Sequence, residues 1–240
     1  MRALVLAGGR GSRLGEVTEH LPKCLLRVGG MPILDRTLRW LATQGVREVA
    51  IHVEHLADLV ERHVGTGGPF GLQVRWVRTP MPCGSAGAVR AAAEFLGAGP
   101  MLVVHGDRVH EWELARLLRD HERNEVVGTL AVFSAEKDPE SGVAGARAEV
   151  DRSGRILRIT ERTDEPRLPW LLAGAYALDP VLLQHIPGDQ PFQLVKDLFQ
   201  KVLRLHGVLC AHEILGRVVG VDTPQAHAQA RRKYEEGVTG

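Results

Sequence analysis

Short apolar runs alternate with amphipathic stretches along most of the chain. The apolar runs predict strands at residues 2–7, 48–53, 73–79, 101–107, 126–134, 148–161 (two strands around a turn), 173–179 and 207–213. The amphipathic stretches predict helices at residues 32–44, 56–64, 86–96, 111–121, 192–205 and 223–233. Strands that alternate with helices are typical of βαβ units. The pattern therefore predicts a Rossmann-like α/β fold, three layers deep (α/β/α), with a mostly parallel mixed central sheet.

Composition narrows the classes of function. The 240 residues include 30 Lys and Arg against 29 Asp and Glu, which gives a formal net charge of +1. Because this balance offers no general attraction for nucleic acid, any phosphate site has to be local. No run approaches the roughly 18 apolar residues of a membrane-spanning helix, and the chain begins directly in a predicted strand. We therefore predict a cytoplasmic protein with neither a nucleic-acid nor a membrane partner, and the sequence leaves a homo-oligomer open.

The cysteines and histidines carry no recognisable metal-ligand spacing. Cys24, Cys83 and Cys210 are odd in number and form no CxxC pair. The sequence therefore predicts neither a disulfide framework nor a structural zinc site.

A glycine-rich segment with three basic residues follows the first predicted strand. It reads LVLAGGRGSRLGEVTEHLPKCLL over residues 4–26. Glycines at positions 8, 9 and 11 allow a ligand to approach the main chain, so several N–H groups can point at phosphate oxygens. Two common phosphate loops do not fit, because GxGxxG needs glycine at Leu14 and the P-loop needs lysine near Arg13. The alternative is a tight turn with solvated arginines.

The segments LAGGRGSRL and LPKCLL resemble the sugar-phosphate nucleotidyltransferases, whose members open with LAGGxGTRL and PKPL. The resemblance implies that the loop holds the phosphates of a nucleoside triphosphate (NTP) and that Arg13 and Lys23 neutralise them during catalysis. The loop residues implied to bind the nucleotide are Leu6, Ala7, Gly8, Gly9, Gly11, Ser12, Arg13 and Lys23.

Five further segments are similar to blocks of the same family. PCGSAGAV, residues 82–89, is similar to PLGTAGAL, which implies nucleotide contacts from Thr79, Gly84, Ser85, Ala86 and Gly87. VVHGDRV, residues 103–109, stands where the family has NGD, and GVDTPQAHAQA, residues 220–230, is similar to the closing VDTPED segment. ITERT and LAGAY resemble the pair that lines the sugar pocket. The substrate-binding residues implied are Gly106, Asp107, Gly145, Glu161, Arg162 and Gly174.

The resemblance implies Mg²⁺ as cofactor, with Asp107 and Asp222 as its ligands. Carboxylates at strand ends suit Mg²⁺, which prefers oxygen donors. Each aspartate has an alternative role as a helix cap. The pocket glycine is either Gly142 or Gly145, because the register of the segment SGVAGARAEVD is open.

The implied reaction is transfer of NMP from an NTP to a sugar 1-phosphate, giving an NDP-sugar and pyrophosphate. Alternatives are a cytidylyltransferase acting on a non-sugar alcohol phosphate and a non-catalytic protein that binds nucleotide sugars. Thymidylyl- and uridylyl-transferring relatives carry a glutamine before the Gly-Ser/Thr-Ala-Gly turn, where this chain has Thr79. A single hydroxyl cannot present the paired donor and acceptor of an amide. We therefore predict a purine donor, GTP or ATP.

No repeat or low-complexity linker divides the chain. We predict a single nucleotidyltransferase domain over residues 1–240. Residues 1–110 form its nucleotide-binding half, residues 111–234 its sugar-phosphate half and residues 235–240 a flexible tail.

The resemblance also places two thiols beside the nucleotide. Cys24 follows Lys23, and a neighbouring cation lowers a thiol pKa. We expect bound NTP to shield Cys24 and Cys83 from alkylation, while Cys210 reacts slowly throughout.

Overall fold

The structure, a computed structural model, describes residues 1–123, 126–161 and 168–236. Its strands are β1 Arg2–Leu6, β2 Arg27–Val28, β3 Met31–Pro32, β4 Glu48–Val53, β5 Gln73–Arg78, β6 Met101–His105, β7 Arg108–Trp112, β8 Gly128–Ser134, β9 Arg147–Val150, β10 Ile156–Thr160, β11 Trp170–Leu178, β12 Leu209–Glu213 and β13 Gly216–Gly220. Its α-helices are α1 Val17–His20, α2 Ile33–Thr43, α3 Ala57–Val64, α4 Gly84–Ala91, α5 Ala93–Leu96, α6 Leu114–Arg123, α7 Gln200–Arg204 and α8 Pro224–Glu236. Short 3-10 turns cover Ser12–Leu14, Lys23–Leu25, Gly68–Phe70 and Pro180–His185.

A nine-stranded mixed sheet forms the centre of the fold. Its main path runs β10-β9-β11-β6-β1-β4-β5, and β8 and β12 extend it from β11. All its strands except β10 and β11 run in one direction. Helices flank the sheet, so the predicted Rossmann-like α/β class is confirmed.

The hydrophobic core lies on both faces of the central strands. Side chains of β1 alternate between two clusters, with Val5 on one face and Leu4 on the other, and both are fully buried. Continuous burial of β1, β4 and β6 explains their unbroken apolar runs, since a parallel strand covered by helices has no solvent face. The carboxyl ends of these strands meet at one edge, where such folds bind ligands.

The helix predicted at residues 111–121 is wrong in its first part. Residues Arg108–Trp112 form β7, which pairs antiparallel with β13, a strand that the pattern did not predict. Strand β7 gains its partner more than a hundred residues further along the chain, so the local pattern contains no trace of the pairing. The helix itself begins at Leu114.

Two other predicted helices are interrupted. The helix predicted at residues 86–96 divides at Ala92, and the one at residues 192–205 begins with the π-helical turn Leu194–Phe199 before α7. Helix α8 reaches Glu236, which lies inside the predicted tail; residues 237–240 fall outside the described residues. In the described part of the chain no helix is both long and apolar enough to cross a membrane.

Candidate active site

Two clefts open at the carboxyl edge of the sheet. The first, with a volume of about 260 Å³, is lined by Leu6, Ala7, Gly8, Gly9, Lys23, Cys24, His52, Glu54, Gly84, Ser85, His105, Asp107 and Gln193. The second, of about 280 Å³, is lined by Gly9, Gly11, Ser12, Arg13, Lys23, His105, Asp107, Arg108, Ala144, Gly145, Ala146, Glu161, Leu172, Tyr176, Val195 and Asp222. We call them the loop cleft and the charged cleft. Gly9, Lys23, His105 and Asp107 line both, so the two clefts meet at these residues.

Lys23 is the centre of the junction. Its Nζ donates to Asp107 Oδ2 at 2.6 Å and to Asp222 Oδ1 at 2.5 Å. The lysine is buried, and burial opposes its charge, but the two carboxylates outweigh this effect and raise its pKa. The ammonium is therefore charged and held between two acidic groups.

Three distant segments position this ion cluster. Lys23 begins a 3-10 turn directly after Pro22. Asp107 lies in the turn between β6 and β7, which is tied to β1 because Gly106 N donates to Leu6 O at 2.9 Å. Asp222 lies between β13 and α8, and its Oδ2 accepts from Ala144 N at 2.9 Å.

Both aspartates remain ionised despite their surroundings. Burial alone raises a carboxyl pKa, but Lys23 and Arg108 lower the pKa of both aspartates, that of Asp107 well below its usual range, with His105 adding to the effect on Asp107. The alternative that Asp107 only caps a helix does not fit, because β7, not a helix, follows it.

The glycine-rich loop brings its backbone close to Lys23. Gly11 has φ +65°, and a Cβ there would lie 3.1 Å from Lys23 Cβ. Arg13 stands at the rim of the charged cleft, where its Nη1 donates to Ala144 O at 3.0 Å and its Nη2 lies 3.9 Å from Asp222 Oδ1. The segment therefore places a buried cation, Lys23, at the junction and an exposed one, Arg13, at the rim of the charged cleft.

The second glycine segment is packed against the turn before the π-helix. Gly84 has φ +75°, and a Cβ there would lie 2.6 Å from Phe192 O. That carbonyl accepts from Ala86 N at 2.9 Å and Gly87 N at 3.3 Å. Gly84 and Ser85 line the loop cleft, whereas among the described residues Ala86 and Gly87 do not.

Several predicted site residues lie elsewhere. Thr79 lines neither cleft in the described part of the chain, and its buried Oγ1 has no hydrogen-bond partner there. Gly145 and Glu161 line the charged cleft, whereas Gly106 and Gly174 lie behind it. Gly142 packs instead against Gly220 O. Arg162 lies outside the described residues.

Arg108 is a site residue that sequence reasoning missed. It is 7% exposed and lines the charged cleft. Its Nη1 donates to Leu172 O at 2.6 Å, while its buried Nε has no partner among the described residues. A Cβ on Gly145 or Gly174 would lie 2.8 or 3.0 Å from the guanidinium, so both glycines make room for it. The sequence could have indicated Arg108 as a site residue because it directly follows Asp107 at the end of a predicted strand.

Sequence reasoning also missed three polar residues of the loop cleft. His52 is the penultimate residue of β4 and Glu54 directly follows the strand, so both lie at the sheet edge where ligands bind. Gln193 reaches the cleft from the turn before the π-helix, where its main-chain carbonyl accepts from Leu198 N at 3.0 Å. A widened turn of this kind is frequent at functional sites.

The expectation of an activated Cys24 thiol is wrong. Cys24 is 2% exposed, and burial raises its pKa to about 12, an effect that the Lys23 charge does not overcome. Burial also raises the pKa of Cys83 and Cys210.

Comparisons with known proteins identify relatives over most of the chain. The sequence model of the family described as Nucleotidyl transferase matches residues 2–214. The chain is 28% identical over 201 residues to a mannose-1-phosphate guanylyltransferase of Mycobacterium tuberculosis, covering 84% of this chain and 55% of the relative. It is 31% identical over 192 residues to a glucose-1-phosphate thymidylyltransferase of Streptomyces antibioticus, covering 80% of this chain and 53% of the relative. The chain thus spans little more than half the length of these relatives.

Solved structures share the fold. A Bacillus anthracis protein in complex with sucrose superposes with a TM-score of 0.82 at 23% identity, covering 98% of this chain and 96% of the other. HddC from Yersinia pseudotuberculosis, complexed with GMP-PN, gives 0.81 at 21% identity, covering 97% and 99%.

Proposed function

Because this chain belongs to the nucleotidyl transferase family, we propose that it transfers NMP from an NTP to a sugar 1-phosphate and releases pyrophosphate. One observation carries the proposal: a glycine-lined cleft and a charged cleft meet at a buried lysine. The reaction joins two anionic substrates, so it needs two adjoining sites with a cation where they meet. The relatives named as guanylyl- and thymidylyltransferases of sugar 1-phosphates support the same reaction.

In the proposed reaction the sugar phosphate oxygen forms a bond to the α-phosphorus, and the bond from that phosphorus to the bridging oxygen of pyrophosphate breaks. The attacking group is already an oxyanion near neutral pH, so no general base is needed. Alignment and neutralisation of charge provide the catalysis. Lys23 stands at the junction to neutralise the α-phosphate, and Arg13 offers a planar fork for the outer phosphates.

The donor set at the junction fits Mg²⁺. Asp107 and Asp222 direct carboxylate oxygens at one point, now filled by the Lys23 ammonium. Hard oxygen ligands of this kind suit Mg²⁺, which supplies further neutralisation of the phosphates when bound. Asp107 and Asp222 would hold the ion, and the Lys23 ammonium beside them would neutralise phosphate oxygens.

A purine donor, GTP or ATP, is part of the proposal. Gln193 lines the loop cleft, but its Oε1 accepts from Ser85 N at 3.1 Å and from Ser85 Oγ at 3.0 Å. With both lone pairs engaged, this amide cannot offer a pyrimidine its matched acceptor and donor. Main-chain groups of Ala7, Gly9 and Gly84 are then the groups that read the base.

The test is a matrix of five nucleoside triphosphates (ATP, GTP, CTP, UTP and dTTP) against several sugar 1-phosphates and non-sugar alcohol phosphates, with Mg²⁺, read as pyrophosphate release. We expect release only when both substrates are present, with GTP or ATP as the best donor. A several-fold preference for dTTP or UTP would overturn the purine proposal alone. Release only with CTP and an alcohol phosphate would support the cytidylyltransferase alternative. Nucleotide-sugar binding without any release would show a non-catalytic binding protein.

A further inference from the structure

Three side chains beside the loop cleft have no role in the proposed transfer: His52 and Glu54 line the cleft, and Cys83 lies next to them. His52 is the penultimate residue of β4, Glu54 directly follows the strand, and Cys83 precedes α4. His52 is buried at 4% exposure, while Glu54 and Cys83 are partly exposed. An imidazole, a carboxylate and a thiol thus converge from two chain segments about thirty residues apart.

Their donor atoms lie at the spacing of a tetrahedral metal site. His52 Nε2 lies 3.6 Å from Cys83 Sγ and 3.4 Å from Glu54 Oε1, and Cys83 Sγ lies 3.8 Å from Glu54 Oε1. Zinc bonds of about 2.3 Å to sulfur and about 2.0–2.2 Å to nitrogen or oxygen, at tetrahedral angles, place neighbouring ligand atoms roughly 3.3–3.6 Å apart. The three observed separations match or slightly exceed these distances between neighbouring ligand atoms.

The surrounding backbone leaves room for this arrangement. A Cβ on Gly87 would lie 2.8 Å from Cys83 Cβ, and a Cβ on Gly8 would lie 3.2 Å from both Glu54 Cγ and His52 Cε1. The three side chains therefore pack between the glycine-rich loop and α4. Cys83 N also donates to Glu54 Oε1 at 3.2 Å, which orients the carboxylate as a second-shell bond orients a ligand.

We propose that His52 Nε2, Glu54 Oε1 and Cys83 Sγ bind a divalent transition metal of the Zn²⁺ class, with its fourth position open to the loop cleft. On binding, the Cys83 S–H bond breaks, its proton goes to solvent, and a sulfur–metal bond forms. Water or a donor atom of a bound nucleotide fills the fourth position. This site is separate in chemistry from the Asp107–Asp222 pair, because thiolate and imidazole select Zn²⁺ or Co²⁺ whereas an all-oxygen pair suits Mg²⁺.

The test titrates the intact protein with Co²⁺ under reducing conditions, without nucleotide, and records absorption. We expect one equivalent to bind with a thiolate-to-cobalt charge-transfer band and the intense visible bands of four-coordinate Co²⁺. Zn²⁺ should then displace Co²⁺ and remove the bands, whereas excess Mg²⁺ should leave them. Cys83→Ser should abolish the charge-transfer band, and His52→Ala and Glu54→Gln should each weaken binding tenfold or more.

Matched controls are Cys24→Ser and Cys210→Ser, which remove a thiol elsewhere and should leave the band in place. The proposal is overturned if wild type shows no charge-transfer band, or if Cys83→Ser binds Co²⁺ as wild type does. In either case the three residues form only a hydrogen-bonded cluster. Since the titration contains no substrate, its outcome and that of the pyrophosphate-release assay are independent.

Discussion

The two clefts differ in how the chain builds them. Most of the loop cleft comes from two short segments, residues 6–24 and 84–85, and much of its lining is glycine and apolar backbone. The charged cleft draws side chains from positions between 9 and 222, and its floor holds Arg108 and Asp222. Such a difference suits two substrate parts: a nucleoside whose base meets main-chain groups, and a sugar phosphate bound by individual side chains.

The clefts also differ in how firmly their charges are held. In the charged cleft Lys23, Asp107 and Asp222 form a compact buried cluster, with Arg108 close enough to lower both carboxyl pKa values. In the loop cleft Glu54 and His52 form a smaller group at one wall. Buried charge is therefore concentrated at the junction and in the charged cleft, so on the proposed function substitutions there should have the largest effects.

The largest expected effect is at Lys23, which both clefts share. We expect Lys23→Met to lower kcat by about 100-fold or more, since it removes a cation aimed at the transition state. It also leaves Asp107 and Asp222 facing each other, so thermal stability should fall in EDTA and recover in part with Mg²⁺. Stopped-assay kinetics and melting curves measure both. Near-wild-type kcat at saturating substrates would remove Lys23 from the mechanism.

The next effect tests the acidic pair. Asp107→Asn should lower activity about tenfold or more and reduce the rise in melting temperature that Mg²⁺ gives wild type, because a neutral amide is a weaker Mg²⁺ ligand. Asp222→Asn should behave alike, since both carboxylates meet at Lys23 Nζ. Glu149→Gln, an exposed carboxylate on β9, is the control. An unchanged Mg²⁺ response in both aspartate variants would contradict the pair's role.

The two clefts also differ in how much of each could be predicted from the sequence. The glycine loop and the strands around it could be predicted because their residues are contiguous and have a local physical cause, whereas Lys23 was implied by the resemblance of LPKCLL to a family motif. Arg108 could not, because its role depends on burial against Gly145 and Gly174, far along the chain. Strand β7 was taken for a helix for a related reason, as its partner β13 is remote.

The proposed metal site shows most clearly what the sequence pattern cannot predict. The cysteines and histidines show no ligand spacing in the sequence, yet His52, Glu54 and Cys83 lie together because β4 ends beside the start of α4. The prediction that Thr79 contacts the nucleotide fails for the opposite reason. Thr79 lies close in sequence to the turn at Gly84, but its buried hydroxyl lies against Cys83, and Thr79 lines neither cleft in the described part of the chain. Proximity along the chain predicts a shared site only where the intervening backbone is short and extended.

A substitution of Arg108 should change the KM of one substrate and leave that of the other nearly unchanged. We expect Arg108→Met to raise KM for the sugar 1-phosphate about tenfold while KM for NTP stays within about twofold, since the guanidinium lines only the charged cleft. Arg108→Lys keeps the charge but loses the planar fork, so it should recover part of the loss. An equal rise in both KM values would place Arg108 at the junction instead.

A smaller effect is expected at Gln193, which lines the loop cleft. Gln193→Ala removes the acceptor of the Ser85 N–H and hydroxyl, which should loosen the wall of the loop cleft and raise KM for NTP by a few fold. KM for the sugar 1-phosphate should not change. Gln200→Ala, whose amide donates to Ile159 O outside the cleft, is the matched control. A rise confined to the sugar 1-phosphate would reverse the assignment of the clefts.

The smallest effect on activity is expected at His110, which lies behind both clefts. This ring is 3% exposed, stacks on Trp40 at 4.8 Å and accepts from Trp112 Nε1 at 3.2 Å. Burial lowers its pKa to about 3. A histidine pKa below the ordinary value near 6.5 means that protons bind the unfolded chain better, so its stabilisation is present above pH 6.5 and declines as the pH falls toward 3.

We therefore expect His110→Gln, which does not titrate, to lose about 2 kcal/mol less unfolding free energy than wild type between pH 7 and pH 5. Urea unfolding at the two pH values measures this difference, and the KM values for both substrates at pH 7 should remain near wild type. His52 also has a pKa lowered by burial and is unchanged in the variant, so part of the acid destabilisation persists. Equal losses in the two proteins would mean that His110 is not the group that titrates. A changed KM for either substrate would mean that the clefts extend to β7.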